Sequence, residues 1–345
     1  MDASTLRRPL PGGPAIRPTP AGVEGGAPLT RIHGPQDALG LVAEELKAAE
    51  GHLHELVQSD VAAVPAVAGY LNAAGGKRLR PALTAIAARA LGVEDLGRLM
   101  CVGELIHLGS LLHDDVVDDG LTRRGQATTH RVFGAPVSVL AGDFCLARAM
   151  WLAAEDGGHL SVARLGKAVT EMAEGEVLQL QRAFDLSTDV EGYFEVIDRK
   201  SAALIAWCAA APAYATGDTR AAEALERYGR GVGRAFQIVD DILDYSATSG
   251  KTLGNDLRDR KVTLPLIYAM DADPALRAEL EAGRPADDRI PALVERVVAT
   301  GGLDRAMADA RRVMQEGIDA LAALPESVGR QALEVLGRYL VERSV

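Results

Sequence analysis

From Asp37 onward the apolar residues recur every three or four positions, a spacing that gathers them on one face of an α-helix. Leu39, Val42, Leu46, Leu53 and Leu56 mark one stripe; Leu83, Ile86, Ala87, Ala90 and Leu91 mark the next. The same period runs through 98–118, 136–154, 162–183, 190–215, 220–246 and 264–271. Pro81, Pro136, Pro265 and Pro291 each precede an apolar run, where a fixed φ and a missing N–H suit the first turn of a helix. No stretch of β-branched residues alternates with polar ones. The pattern predicts an all-α fold, a single helical domain over 36–345 without a second domain or an internal repeat.

Residues 1–35 break the pattern. They hold seven of the sixteen prolines and six glycines, so ordering them costs much and yields few hydrogen bonds. A flexible Pro/Gly-rich tail is expected there.

Composition narrows the function. The 345 residues are 48% apolar and 25% charged, enough for both a core and a solvated surface. A net charge of −11 runs against nucleic-acid binding, which needs a basic footprint. Aromatics at 4% are too few for a β-rich core. Cys101, Cys145 and Cys208 lie far apart in apolar surroundings, so neither a disulfide framework nor a thiolate metal site is expected, and a cytoplasmic location is the default. No uninterrupted apolar stretch reaches the ~20 residues of a transmembrane helix. The best candidate, Ser201 to Tyr214, is short and broken by Pro212.

Two acidic clusters carry the chemistry. Asp114-Asp115-Val116-Val117-Asp118 and Asp240-Asp241-Ile242-Leu243-Asp244 both read DDxxD, each inside an apolar helical pattern. A spacing of four stacks Asp114 on Asp118 and Asp240 on Asp244, where like charges repel. Half-buried carboxylates in such a setting need cations to stay ionised. Oxygen-only donors suit Mg²⁺ or Mn²⁺, and Mg²⁺ is commonly shared between carboxylates and substrate phosphates. Basic segments supply the counterpart: Gly75-Gly76-Lys77-Arg78-Leu79-Arg80-Pro81, then Thr122-Arg123-Arg124-Gly125, then Lys251, Arg258, Arg260 and Lys261. Glycines admit close backbone approach, and Arg and Lys donate charge-assisted bonds to phosphate. Acid and base alternate as around one polyphosphate site.

In order, GGKRLRP, ELIHLGSLLHDDVVDDGLTRRG, VLAGDF, RKSA, GRAFQIVDDILDY and GNDLRDRKVTLPLIYA resemble the trans-isoprenyl diphosphate synthase (polyprenyl synthetase) family, particularly its long-chain bacterial members. The resemblance covers roughly 36–345. It implies a helical bundle around a deep central cavity, usually a homodimer, and a cytoplasmic Mg²⁺-dependent prenyltransferase with three ions per site. Asp114 and Asp118 would bind metal with Asp115 in support, and Asp240 and Asp244 would bind the remaining metal from the opposite wall, with Asp241 nearby. Arg123, Lys200, Ser201, Gln237 and Lys251 would hold the allylic diphosphate. Lys77, Arg80, His107 and Arg124 would hold isopentenyl diphosphate, and Lys261 would belong to a lid over 249–262. Ionisation of the allylic diphosphate yields a carbocation, the isopentenyl double bond attacks it, and pyrophosphate takes the released proton. Ser201 replaces the family's usual threonine and keeps the hydroxyl.

Gly109 and Ser110 lie about one helical turn before Asp114. Bulky residues there stop the growing tail in this family, so two small ones imply a long product, six or more isoprene units. Small residues also permit close helix packing. Met150 and Trp151 are candidates for a deeper floor. His113 and His130 read as structural. Competing readings are a shorter-chain synthase, a terpene cyclase, which needs no second diphosphate site, a phosphohydrolase built on His113-Asp114, and a non-catalytic subunit of a heteromer.

Overall fold

A computed structural model of the protein describes residues 31–73, 78–123, 125–246 and 253–342, with backbone alone at 72 and 73. The helical expectation holds. Short α1 (Pro35–Gly40), α2 (Ala43–Leu56) and α3 (Ala63–Ala73) precede α4 (Leu79–Ala90) and α5 (Leu99–Val117). After them come α6 (Thr129–Phe133), α7 (Ala135–Glu155), α8 (Gly158–Gln181), α9 (Val190–Ile197), α10 (Ala203–Thr216) and α11 (Thr219–Leu243). The C-terminal third adds α12 (Asn255–Arg258), α13 (Leu264–Ala272), α14 (Pro274–Glu281), α15 (Ile290–Ala299), α16 (Gly302–Ala320) and α17 (Val328–Glu342). Pro81, Pro136, Pro265 and Pro291 all fall in first turns, of α4, α7, α13 and α15.

α10 is the axis of the bundle. Every side chain from Ala203 to Tyr214 is buried, and α4, α5, α8 and α11 pack around it. The stretch that looked nearest to a membrane span is thus the hydrophobic centre. Among the described residues α7 alone is long and apolar enough to cross a membrane by length and composition, but it carries Asp143 and Arg148 and packs on α5 and α8. A smaller core lies under the second acidic cluster, where Tyr245, Leu257, Leu266, Met270, Leu280, Ile290 and Val297 pack together.

Two details differ from the sequence reading. The predicted run 190–215 is interrupted by one π-helical turn, Asp198–Ala202, between α9 and α10. Such a turn widens the helix locally and marks functional positions more often than chance. Second, β1 (Thr122–Arg123) and β2 (Gln126–Ala127) form a minimal antiparallel hairpin closed at Gly125, whose φ of 79° is left-handed. Two residues per strand are too few to show alternation.

Glycine contacts seat the π turn. A Cβ on Gly175 of α8 would lie 2.4 Å from the Lys200 backbone nitrogen, and one on Gly233 of α11 would lie 2.5 Å from Ala202 Cα. Without side chains there, α8 and α11 close directly onto the backbone that carries Lys200 and Ser201.

Candidate active site

Both acidic clusters sit at helix C-termini. α5 ends at Val117 with Asp118 as its C-cap, and α11 ends at Leu243 with Asp244 as its C-cap. The last turn of a helix already carries partial negative charge, so three carboxylates there oppose the dipole as well as one another. A helix kept for stability alone would place Lys or Arg at that end. The arrangement makes sense as a seat for cations.

The inner aspartate of each wall is tied down. Asp115 is 2% exposed and accepts from Arg123 Nε at 2.5 Å; its Oδ2 is buried without a hydrogen-bond partner among the described residues. Asp241, 6% exposed, accepts from Tyr193 Oη at 2.6 Å and from Gln237 Nε2 at 2.8 Å. Gln237 Oε1 in turn accepts from Ser201 Oγ at 2.7 Å. The outer aspartates differ between walls: Asp118 is exposed, whereas Asp244 is buried and accepts from the Asp256 backbone N–H at 2.9 Å.

Electrostatics register the crowding. Burial pushes the Asp114 carboxyl up to about 6, Glu176 and Asp118 add to the rise, and Lys200 and Arg123 oppose it. Asp241 is held higher still by burial, against the Tyr193 and Gln237 hydrogen bonds, and Asp256 beside it is raised by burial and by Asp241 and Asp244. Burial pulls the Lys261 ammonium down, but Asp256, Asp259 and Asp118 outweigh it and leave it raised. Lys261 therefore feels both walls, whereas Lys200 acts on Asp114 of the first wall and pairs with Glu176 at 2.5 Å.

A cavity of about 150 Å³ opens against the second wall, lined by Lys200, Ser201, Gln237, Asp240, Asp241 and Lys261 among others. The structure thus brings these six predicted residues to one place, with Asp114 and Asp118 reached through the two lysines. Arg80 stands half-buried in the first turn of α4 with Nε unpartnered among the described residues, and His107 is half-buried on α5 two turns before Asp114. Lys77, Arg124 and Lys251 lie outside the described residues. Arg78 is turned to structure: its left-handed backbone (φ 47°) begins α4, and its guanidinium pairs with Glu50 at 2.5 Å and Glu104 at 3.0 Å.

Among the described residues no three acidic, His or Cys side chains converge to hold an ion unaided. The donor set still fits Mg²⁺: hard oxygen donors, an orphaned buried Asp115 oxygen, and an Asp114 carboxyl whose ionisation burial and neighbouring carboxylates oppose. Substrate phosphates would complete the shell.

His113 Nε2 lies 3.1 Å from the Val139 carbonyl and 3.3 Å from Asp143, so it braces α5 against α7. Gly109 faces the same contact, since a Cβ there would meet the Gly142 carbonyl at 3.0 Å and Leu146 Cγ at 3.3 Å. Packing accounts for Gly109; Ser110, half-buried, donates back to the His107 carbonyl at 2.9 Å. Trp151 carries the guanidinium groups of Arg98 and Arg148 at 5.9 and 5.6 Å. All three cysteines are buried and free.

Sequence reasoning missed four site residues. Glu176 and Gln179 are polar positions within the α8 pattern, flagged only by the neighbouring Gly175. Asp256 stood in a loop read for its bases, and Tyr193 gave no signal by itself.

A helical body with two carboxylate walls and lysines between them has the donor chemistry of an enzyme that handles diphosphates. The family model for polyprenyl synthetase matches residues 61–299. The chain is 41% identical over 301 residues to octaprenyl diphosphate synthase of Haemophilus influenzae, covering 84% of this chain and 91% of that one. It is 37% identical over 314 residues to the Escherichia coli octaprenyl diphosphate synthase, covering 88% and 97%. A polyprenyl synthase from Caulobacter crescentus, solved with calcium and isoprenyl diphosphate, superposes with a TM-score of 0.84 at 37% identity over 91% of this chain and all of that one. The chain belongs to the polyprenyl synthetase family.

Proposed function

We propose that the protein is a Mg²⁺-dependent prenyltransferase that joins isopentenyl diphosphate head-to-tail to an allylic diphosphate, giving a long polyprenyl diphosphate and pyrophosphate. The observation that carries this reading is the pair of aspartate walls at the ends of α5 and α11 with Lys200 and Lys261 between them. Asp114, Asp118 and Asp240 hold the ions, three per site, with Asp115, Asp241 and Asp244 as supports; Mn²⁺ fits the same oxygens. Bound there, Mg²⁺ supplies the positive charge that stabilises departing pyrophosphate.

Lys200, Arg123, Ser201, Gln237, Lys251 and Lys261 grip the allylic diphosphate, so its C–O bond breaks to an allylic cation while negative charge moves onto groups already aimed at it. Lys77, Arg80, His107 and Arg124 hold isopentenyl diphosphate with its double bond toward that cation. A carbon–carbon bond forms, and the proton shed from isopentenyl C2 passes to pyrophosphate. The lid over 249–262, of which 249–252 lie outside the described residues, carries Lys261 and keeps water from the cation. Ser110 leaves the tail's path open beside Asp114, in line with a product as long as those named for the octaprenyl relatives. Of the tail expected over 1–35, residues 1–30 lie outside the described residues, whereas Ile32 packs against the core and Pro35 begins α1, so the ordered body starts before residue 36; the enzyme works in the cytoplasm. Exposed Leu140 of α7 and Val177 and Leu180 of α8 suit contact with a second copy in a homodimer.

Purified protein, Mg²⁺, labelled isopentenyl diphosphate and a panel of allylic primers test the reading, with products sized by chromatography. Elongation to six or more units is expected. No elongation with any primer would sink it, and turnover of the allylic diphosphate alone would point to a cyclase. Light scattering tests the dimer; a monomer at assay concentration refutes that part.

A further inference from the structure

The segment 190–202 touches the second wall at two points that close into one hydrogen-bonded ring. Tyr193 donates to Asp241 Oδ2, Gln237 donates to Asp241 Oδ1, and Ser201 donates to Gln237 Oε1, at 2.6, 2.8 and 2.7 Å. Tyr193 is 4% exposed, and its place is fixed by the α9 N-cap, where Asp189 Oδ1 accepts from the Gly192 N–H at 2.8 Å. Arg182 braces the same turn, donating to the Gly192 carbonyl at 2.7 Å and to Glu195 at 2.6 Å. Beyond α9 the chain enters the π turn with Lys200 and Ser201, itself held by Arg230 and Arg234 on Asp198 at 2.9 and 2.8 Å. One rigid stretch thus carries the phenol at one end and the diphosphate-facing groups at the other.

We propose that Tyr193 is a positioning residue for the reaction: through Asp241 its hydroxyl sets the spacing between the second aspartate wall and the turn bearing Lys200 and Ser201. The inference rests on the function proposed above. A diphosphate bridging ions on Asp240 and the Lys200 ammonium is held well only at one separation, and the Tyr193–Asp241–Gln237–Ser201 ring fixes it. Both Asp240 and Asp241 line the cavity, but Asp241 has a protein donor on each oxygen and so serves as the anchor of that ring, leaving Asp240 as the ligand. Buried hydrogen-bond networks of this kind specify one geometry when every member is satisfied, and losing a partner behind a ligating carboxylate typically costs ~10–100-fold in metal affinity or activity.

Tyr193→Phe in the full chain is the test, because it removes one oxygen and keeps the ring's volume. Mn²⁺ binding in the presence of pyrophosphate, followed by the paramagnetic resonance of free Mn²⁺, should weaken about tenfold with unchanged stoichiometry. The KM for the allylic diphosphate should rise about tenfold as well, and that for isopentenyl diphosphate should stay within about twofold. A variant that melts lower yet binds Mn²⁺ and allylic substrate as the wild type does would reduce Tyr193 to a packing role and overturn the proposal. Should Tyr193→Phe not fold, Asp241→Asn decides, since the ring can close again with its donors reversed. Wild-type Mn²⁺ stoichiometry then supports the anchor, and loss of one ion per site refutes it. If the wild type transfers no prenyl group, the proposed function fails, while the Mn²⁺–pyrophosphate titration still judges Tyr193.

Discussion

The two aspartate walls share a motif and are built differently. On α5 the inner carboxylate, Asp115, is balanced by a cation, Arg123. On α11 the inner carboxylate, Asp241, is hydrogen-bonded by neutral donors, Tyr193 and Gln237, and Lys261 acts on it through space rather than as a contact ion pair. The first wall is open, with Asp118 in solvent at the helix end; the second is closed over, with Asp244 buried and tied to the Asp256 backbone. A cation brought by the protein offsets charge without a metal, whereas neutral donors orient a carboxylate and leave its charge to be met by an ion. The second wall should therefore depend more strongly on bound metal for its order.

Neutralising the outward aspartates is the largest break available. Asp114→Asn and Asp240→Asn should each lower kcat/KM about 10³-fold at saturating Mg²⁺, the equivalent of several kcal/mol of lost charge stabilisation. Steady-state kinetics with labelled isopentenyl diphosphate read this out; a loss of only a few-fold in either variant would mean that wall does not hold the reacting diphosphate. Next comes the pair at the root of the first wall. Ser110→Phe should shorten the product by several isoprene units while the protein stays folded. Gly109→Tyr should cost stability first, ~1–3 kcal/mol or more, because its Cβ meets the Gly142 carbonyl at 3.0 Å. Product sizing and thermal melts separate the two, and a stable Gly109→Tyr enzyme with wild-type products would reverse their roles.

Arg123 gives a smaller effect on stability. Arg123→Met strands the Asp115 charge in a buried site, which should cost about 2 kcal/mol, less than for a fully buried pair because Arg123 remains 30% exposed. A urea midpoint measures it. Adding Asp115→Asn to Arg123→Met should restore most of the loss, and no restoration would deny the coupling.

How much of this could be read beforehand follows from what each residue does locally. Helices were legible because their periodicity is written residue by residue, and the acidic clusters because carboxylates amid Leu, Ile and Val have no local reason to be there. The π turn left no mark: it arises where Gly175 and Gly233, 25 and 31 residues away from Lys200 and Ala202 in sequence, let two helices close on that backbone. Tyr193 was hidden for the same reason. Its partner Asp241 is 48 residues further along, and an isolated tyrosine in an apolar helix reads as packing. Gly109 was read for its smallness, correctly, but its neighbour α7 explains that smallness without a substrate.

The last way to sharpen the comparison is pH, and it separates the walls by proton rather than by mutation alone. Asp114, facing Glu176, Asp118, Lys200 and Arg123, is raised to about 6; Asp241, buried and facing Tyr193, Gln237, Asp240, Lys261 and Asp256, is higher. The ordinary carboxylate value is ~3.9, so folding favours the protonated form of both. Their ionisation therefore costs stability in the metal-free protein at alkaline pH, and that cost is lifted as pH falls through the second wall's range and then through about 6. Divalent ions compete with those protons, so Mn²⁺ affinity should fall on acidification in two steps, each approaching about tenfold per pH unit below its midpoint. Calorimetric titrations in buffers of different ionisation enthalpy count the protons released. The higher step belongs to Asp241 together with Asp256, so Asp241→Asn should shrink and lower that step and leave the one near 6 in place; a single step in the wild type, or an unchanged profile in the variant, would mean that the two walls are not electrostatically distinct.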